Sequence, residues 1–139
     1  MIDYSKLRAA LGNLERQWEN LESSGKREGL SLLDLEAVQE SVIKRFDLAL
    51  EMSWKLLLKY LAEEVGLAEV PNGPKPILRI ADQNNLLKGR IAAWILYVNA
   101  RNASSHDYSG EKAAETLQVI PDFLVDATGL YETMSGEKW

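Results

Sequence analysis

The chain contains no cysteine and only one histidine, His106. Disulfides, thiolate nucleophiles and cysteine-based zinc sites are therefore excluded. A protein metal cage would have to be built almost wholly from carboxylates, and no metal ion or cofactor is assigned. No apolar run approaches the roughly 18 residues that a membrane span requires. Met1-Ile2-Asp3-Tyr4-Ser5 has neither the basic n-region nor the apolar h-region of a secretory signal, so a soluble, cytoplasmic protein is expected. No sustained alternation of apolar and polar residues lies between hairpin turns, and no strand is predicted.

What is present fits one domain. At 139 residues and 46% hydrophobic, the chain can bury a core without staples. A net charge of -5 argues against non-specific binding of nucleic acid over the whole surface, which relies on cations neutralising phosphates. The charge is uneven. Between Lys75 and Arg101 lie the cations Lys75, Arg79, Lys88, Arg90 and Arg101 against the single anion Asp82. That stretch is either a solvated basic face or the approach to an anion site.

Helical spacing runs throughout. Leu7, Ala10, Leu11, Leu14, Trp18 and Leu21 define a first amphipathic helix, ended by Ser23-Ser24-Gly25. Ser31 as N-cap, with Asp34 three residues on and Leu30 and Leu35 as a staple, opens a long helix reaching about Val65. Its polar row pairs Glu40 with Lys44 and Glu51 with Lys55 at i,i+4. Its wide apolar arc suits a central helix, or one that also faces a second subunit. After the breakers Gly66 and Pro71-Asn72-Gly73-Pro74, a short helix is predicted from Pro76 to about Asn84. Another is predicted from Lys88, with Ile91, Trp94, Ile95 and Val98 buried. A last one, capped by Ser109, runs from about Glu111, with Pro121 expected to kink or break it and a loose tail after Met134. The expected fold is all-α: an antiparallel up-and-down four-helix bundle with a short extra helix, in one domain spanning residues 1–139.

The segment Arg101-Asn102-Ala103-Ser104-Ser105-His106-Asp107-Tyr108 carries most of the functional argument. Arginine offers a fork of donors to phosphate oxygens, histidine moves protons near neutral pH, and tyrosine offers a modifiable hydroxyl. Continuing the stripe of Ile91, Ile95 and Val98 by helical steps leads to Asn102 and His106, while Arg101 follows Trp94 and Tyr97. Buried polar groups without partners cost about 1 to 3 kcal/mol, so such a stripe must find partners, line a cleft or face another subunit. Spacing alone leaves a plainer role open, in which Arg101 and His106 only satisfy carbonyls at a helix C-terminus.

Together with Phe46, Glu51 and Trp54-Lys55 on the long helix, the cations near Pro76 and Arg79, and Trp94, this segment resembles the Arg-x4-His-x-Tyr signature of the HEPN superfamily. More closely, nearly the whole chain resembles the nucleotidyltransferase substrate-binding proteins, relatives of the HepT toxins. The resemblance implies a homodimer and a separate minimal nucleotidyltransferase as partner. In it, Arg101, Asn102 and His106 would form a metal-independent phosphate centre: Arg101 would stabilise transition-state charge, Asn102 would orient the phosphate or imidazole, and His106 would transfer a proton at a 2′-hydroxyl. Arg79, Arg90 and Ser105 would contribute to binding of the substrate, a nucleotide or RNA. Tyr108 would accept AMP, a modification that silences a ribonuclease. Ser104-Ser105 before His106 looks more like the substrate-binding branch than the toxin branch. The expectation is therefore a partner subunit of a nucleotidyltransferase in a toxin-antitoxin-like module. The alternatives are an active endoribonuclease toxin and an inert bundle. The chain has no Gly-Ser followed by paired aspartates, so any nucleotide transfer would be done by another polypeptide.

Overall fold

The computed structural model describes residues 1–24, 29–104 and 110–139, which form helices without strands. Helix α1, Ser5–Ser24, starts where the Asp3 carboxylate accepts from the Ser5 N–H at 2.9 Å, and it buries Leu7, Leu11 and Leu14. Helix α2, Leu32–Glu63, opens with the expected capping box: Asp34 N donates to Ser31 Oγ at 3.0 Å, and Ser31 N to the Asp34 carboxylate at 3.1 Å. It closes at Gly66, whose φ of 82° lets Leu67 N turn back to Leu61 O at 3.0 Å. Helix α3, Pro74–Gln83, begins two residues earlier than expected, because Pro74 takes the first helical position, where its missing N–H is no loss.

Helix α4, Ile91–Ser104, starts three residues later than expected. Lys88 and Gly89 take left-handed φ values of 52° and 77°, so the chain turns before it coils, and Trp94 N reaches back to Arg90 O at 3.1 Å. The buried line of α4 also differs from expectation. Trp94, Tyr97 and Val98 are buried, whereas Ile91 and Ile95 are half-buried and Asn102 is exposed. The two large aromatic side chains have the most apolar surface to remove from water and turn the helix accordingly.

Helix α5, Gly110–Ser135, runs unbroken through Pro121. The proline is exposed, and Ile120, Phe123 and Leu124 beside it are buried, so packing offsets the lost backbone bond. The expected cap Ser109 lies outside the described residues.

Helices α1, α2, α4 and α5 form an up-and-down bundle, with α3 in the connection from α2 to α4. The start of α4 meets the second half of α5 through Arg90 and Asp126, and its last turn meets the start of α5 through Ala100 and Thr116. These two helices are therefore antiparallel. At the centre, Phe46, Trp94, Tyr97 and Phe123 pack edge to face, with centroids 4.9 to 5.9 Å apart.

The tail expected to be loose is docked. Arg8 lies over the rings of Tyr131 and Trp139, and its Nη2 donates to Trp139 O at 3.0 Å. Trp139 N donates to the Glu132 carboxylate at 3.1 Å.

Candidate functional site

Arg101 stands in the last turn of α4, one turn beyond Tyr97 and on the same side. It is about one-third exposed, and its Nη2 lies 3.8 Å from Glu51 Oε2 on α2. Glu51 in turn receives Lys55 Nζ at 3.1 Å, the i,i+4 pair expected from the spacing. At 3.8 Å this is an ion pair rather than a direct hydrogen bond, and it is one of the contacts that Arg101 makes. A partly exposed pair of this kind contributes roughly 0 to 1 kcal/mol.

Two polar contacts fix the backbone that carries Arg101. Thr116, fully buried on α5, donates to Lys112 O at 3.0 Å and approaches Ala100 O at 3.5 Å. Nearer the start of α4, both oxygens of Asp126 accept from Arg90, at 3.1 Å each, and the Tyr97 hydroxyl also donates to Asp126. Burial, and then the adjacent carboxylate, push the Tyr97 hydroxyl well above the ordinary tyrosine range, so it stays a neutral donor. The hydrogen bonds from Arg90 to Asp126 raise the arginine further above its usual value.

The site residues expected from sequence thus have different situations. Arg101 and Asn102 share the last turn of α4, half-buried and exposed respectively. Arg79 is exposed on α3. Arg90, expected among the substrate-binding residues, has its fork engaged by Asp126. Ser105, His106 and Tyr108 lie outside the described residues. Asp126 is absent from the residues expected from sequence, although its signal exists there: it falls three residues after Phe123 and four before Leu130, a carboxylate beside a buried stripe. Among the described residues, no group of three or more potential metal ligands comes together. No described helix is long and apolar enough to cross a membrane.

A cleft of about 700 Å³ lies at the other end of the bundle, lined by Tyr4, Arg8, Glu64, Tyr131 and Met134 among others. We place the candidate site at Arg101, because in that cleft Arg8 is engaged by Tyr131 and Trp139 and stands among the carboxylates of Asp3, Glu64 and Glu137.

The fold is a small helical bundle whose fourth helix carries a half-buried arginine in its last turn. The family model described as nucleotidyltransferase substrate binding protein like matches residues 2–136, and the chain belongs to that family. A curated relative from Haemophilus influenzae, described as a probable ribonuclease HepT, is 32% identical over 94 residues, covering 66% of this chain and 64% of its own length. The chain thus matches a little under two thirds of that relative. A solved Haemophilus influenzae structure, described as revealing the fold of a substrate binding domain of a nucleotidyltransferase, superposes with a TM-score of 0.85 at 25% identity. That match covers 96% of this chain and 99% of the other. A crystal structure from Thermus thermophilus shares the fold at a TM-score of 0.66 and 24% identity, covering 87% of this chain and 98% of its own.

Proposed function

We propose that this protein is the HEPN-type partner subunit of a separate minimal nucleotidyltransferase, within a toxin-antitoxin-like module. It presents a phosphate centre made of Arg101, Asn102 and His106, with Arg79 and Ser105 as further contacts to a nucleotide or RNA. The observation that carries this reading is Arg101 itself. It is half-buried at the end of α4, with its guanidinium beside Glu51, in a chain whose family is described by nucleotidyltransferase substrate binding. A guanidinium at the end of a helix presents a planar fork of donors, which suits binding of an anionic group. Tyr108 is the proposed AMP acceptor. A nucleotide attached two residues from His106 would block the centre and add negative charge beside it.

The relative described as a probable ribonuclease favours a second reading. In it, two copies form a composite site, His106 transfers a proton at the 2′-hydroxyl, and Arg101 stabilises the charge that develops on phosphorus.

For the partner reading, the protein is incubated with ATP and a minimal nucleotidyltransferase from the same organism, and its intact mass is measured. A mass increase of one AMP, abolished by Tyr108→Phe, is expected; no added mass overturns Tyr108 as acceptor. For the ribonuclease reading, wild type and His106→Ala are expressed alone and cellular RNA integrity is compared. Equal outcomes eliminate it. Where RNA is cut, Arg101→Ala should slow cutting about tenfold or more, the effect of losing one charged hydrogen bond.

A further inference from the structure

The start of α2 carries the most exposed leucines among the described residues. Leu32 is 80% and Leu33 75% exposed, and Leu30, just before the cap, is 37% exposed. Single apolar residues on a surface are ordinary, but three within four positions make a patch. Nothing local asks for them. Ser31 and Asp34 cap the helix without their help, and the first turn of a helix favours acidic side chains over leucine.

The patch lies at the motif end of the bundle. A step of four leads from Leu33 to Ala37, also exposed, and another from Leu32 to Glu36. Glu36 and Glu40 stand across a groove of about 260 Å³ from Gly110 and Ala114 at the start of α5. Gly110 follows Tyr108 by two residues, and the last turn of α4, with Arg101, meets this part of α5 through Ala100 and Thr116. The flank is acidic. Residues 25–40 and 105–117 hold seven carboxylates and three cations, a net charge of -4 with His106 neutral.

That pairing of an apolar knob with an acidic flank selects its occupant. An anionic membrane or an RNA is repelled by the flank, and leucine offers no aromatic platform for bases. A second copy meeting the patch across a two-fold axis sets acid against acid. A protein with an apolar pocket rimmed by lysine and arginine meets both features. We propose that Leu32 and Leu33 anchor the surface on which the nucleotidyltransferase docks, and that Glu36, Glu40 and Glu111 steer its basic rim. The identity of this occupant rests on the partner reading above. Leu32 and Glu36 are about 6 Å apart along the helix, so an enzyme seated on the leucines also covers the groove that ends at Gly110. Docking thus brings it to the chain two residues from the proposed acceptor.

The test measures binding of the full chain to a minimal nucleotidyltransferase from the same organism by titration calorimetry. The Leu32→Ser/Leu33→Ser double variant should bind about tenfold or more weakly, since two leucine side chains are no longer buried. Both side chains are exposed, so its thermal unfolding should match that of the wild type. Val125→Ser, at an exposed apolar position on α5, should bind as the wild type does. Glu36→Lys should slow association at low salt, and the difference from wild type should shrink as salt is raised. Wild-type affinity in the double variant overturns the docking surface and leaves the partner reading standing. No binding of the wild type to the nucleotidyltransferase overturns the partner reading, and this occupant with it. A sedimentation mass that falls in the double variant assigns the leucines to a second copy and overturns the proposal.

Discussion

Tyr4 stands edge-on to Tyr131, with centroids 6.5 Å apart, in the cleft bounded by Arg8 and Glu64. Burial, reinforced by the nearby Glu64 carboxylate, pushes its hydroxyl up to about 12. A tyrosine in the unfolded chain ionises near 10, so above that pH the unfolded state releases its proton first. The stabilisation is whole below pH 10 and is lost as pH rises toward about 12. Denaturation across that range should show falling stability, and Tyr4→Phe should flatten the fall. The raised Tyr97 contributes to the same decline, so flattening is partial. An unchanged slope in Tyr4→Phe would contradict this account.

At the scale of the element, α4 is oriented by what it buries and anchored by what it bonds. Asp126→Ala removes the acceptor of the buried Tyr97 hydroxyl, which should cost about 1.5 to 3 kcal/mol in urea unfolding. Tyr97→Phe should cost less, because the phenyl ring keeps its packing and Asp126 keeps Arg90. The helices themselves were legible, since three-and-four spacing, the Ser31 capping box and Gly66 are local signals that the structure keeps. The start and face of α4 were less so. A left-handed Lys88 has no strong local signature, and choosing Trp94 and Tyr97 over Ile91 and Ile95 depends on the space left between Phe46 and Phe123. The site follows the same division. Arg101 could be found from its spacing after Tyr97, but Glu51 as its neighbour and Asp126 as the clamp on Arg90 depend on how separate helices meet. The family resemblance, carried by residues spread along the chain, was legible in full.

At the scale of the whole molecule, the beginning of α1 and the end of α5 are joined through one arginine. Arg8 donates to the Tyr131 hydroxyl at 3.2 Å, lies over its ring, and holds the terminal Trp139 by both ring and carbonyl. Trp139→Ala removes one cation–π contact and the edge-to-face contact with Tyr131, and it should lower global stability by about 1 kcal/mol. Trp139 fluorescence is expected to red-shift when the tail is undocked by Arg8→Ala. A spectrum unmoved by that substitution would mean that the arginine does not hold the tail.

Helix α2 is shared by both ends of the bundle. Its 32 residues span about 48 Å, from the Ser31 cap to the cleft beside Glu64. A rod of that length has a lever's geometry: a tilt of about 5° pivoting at its Glu63 end would carry the Asp34 end sideways by about 4 Å and Glu51 by under about 2 Å. One continuous helix thus runs from the Ser31 cap to the rim of the cleft at Tyr4, and the two ends of the molecule share a single stiff element.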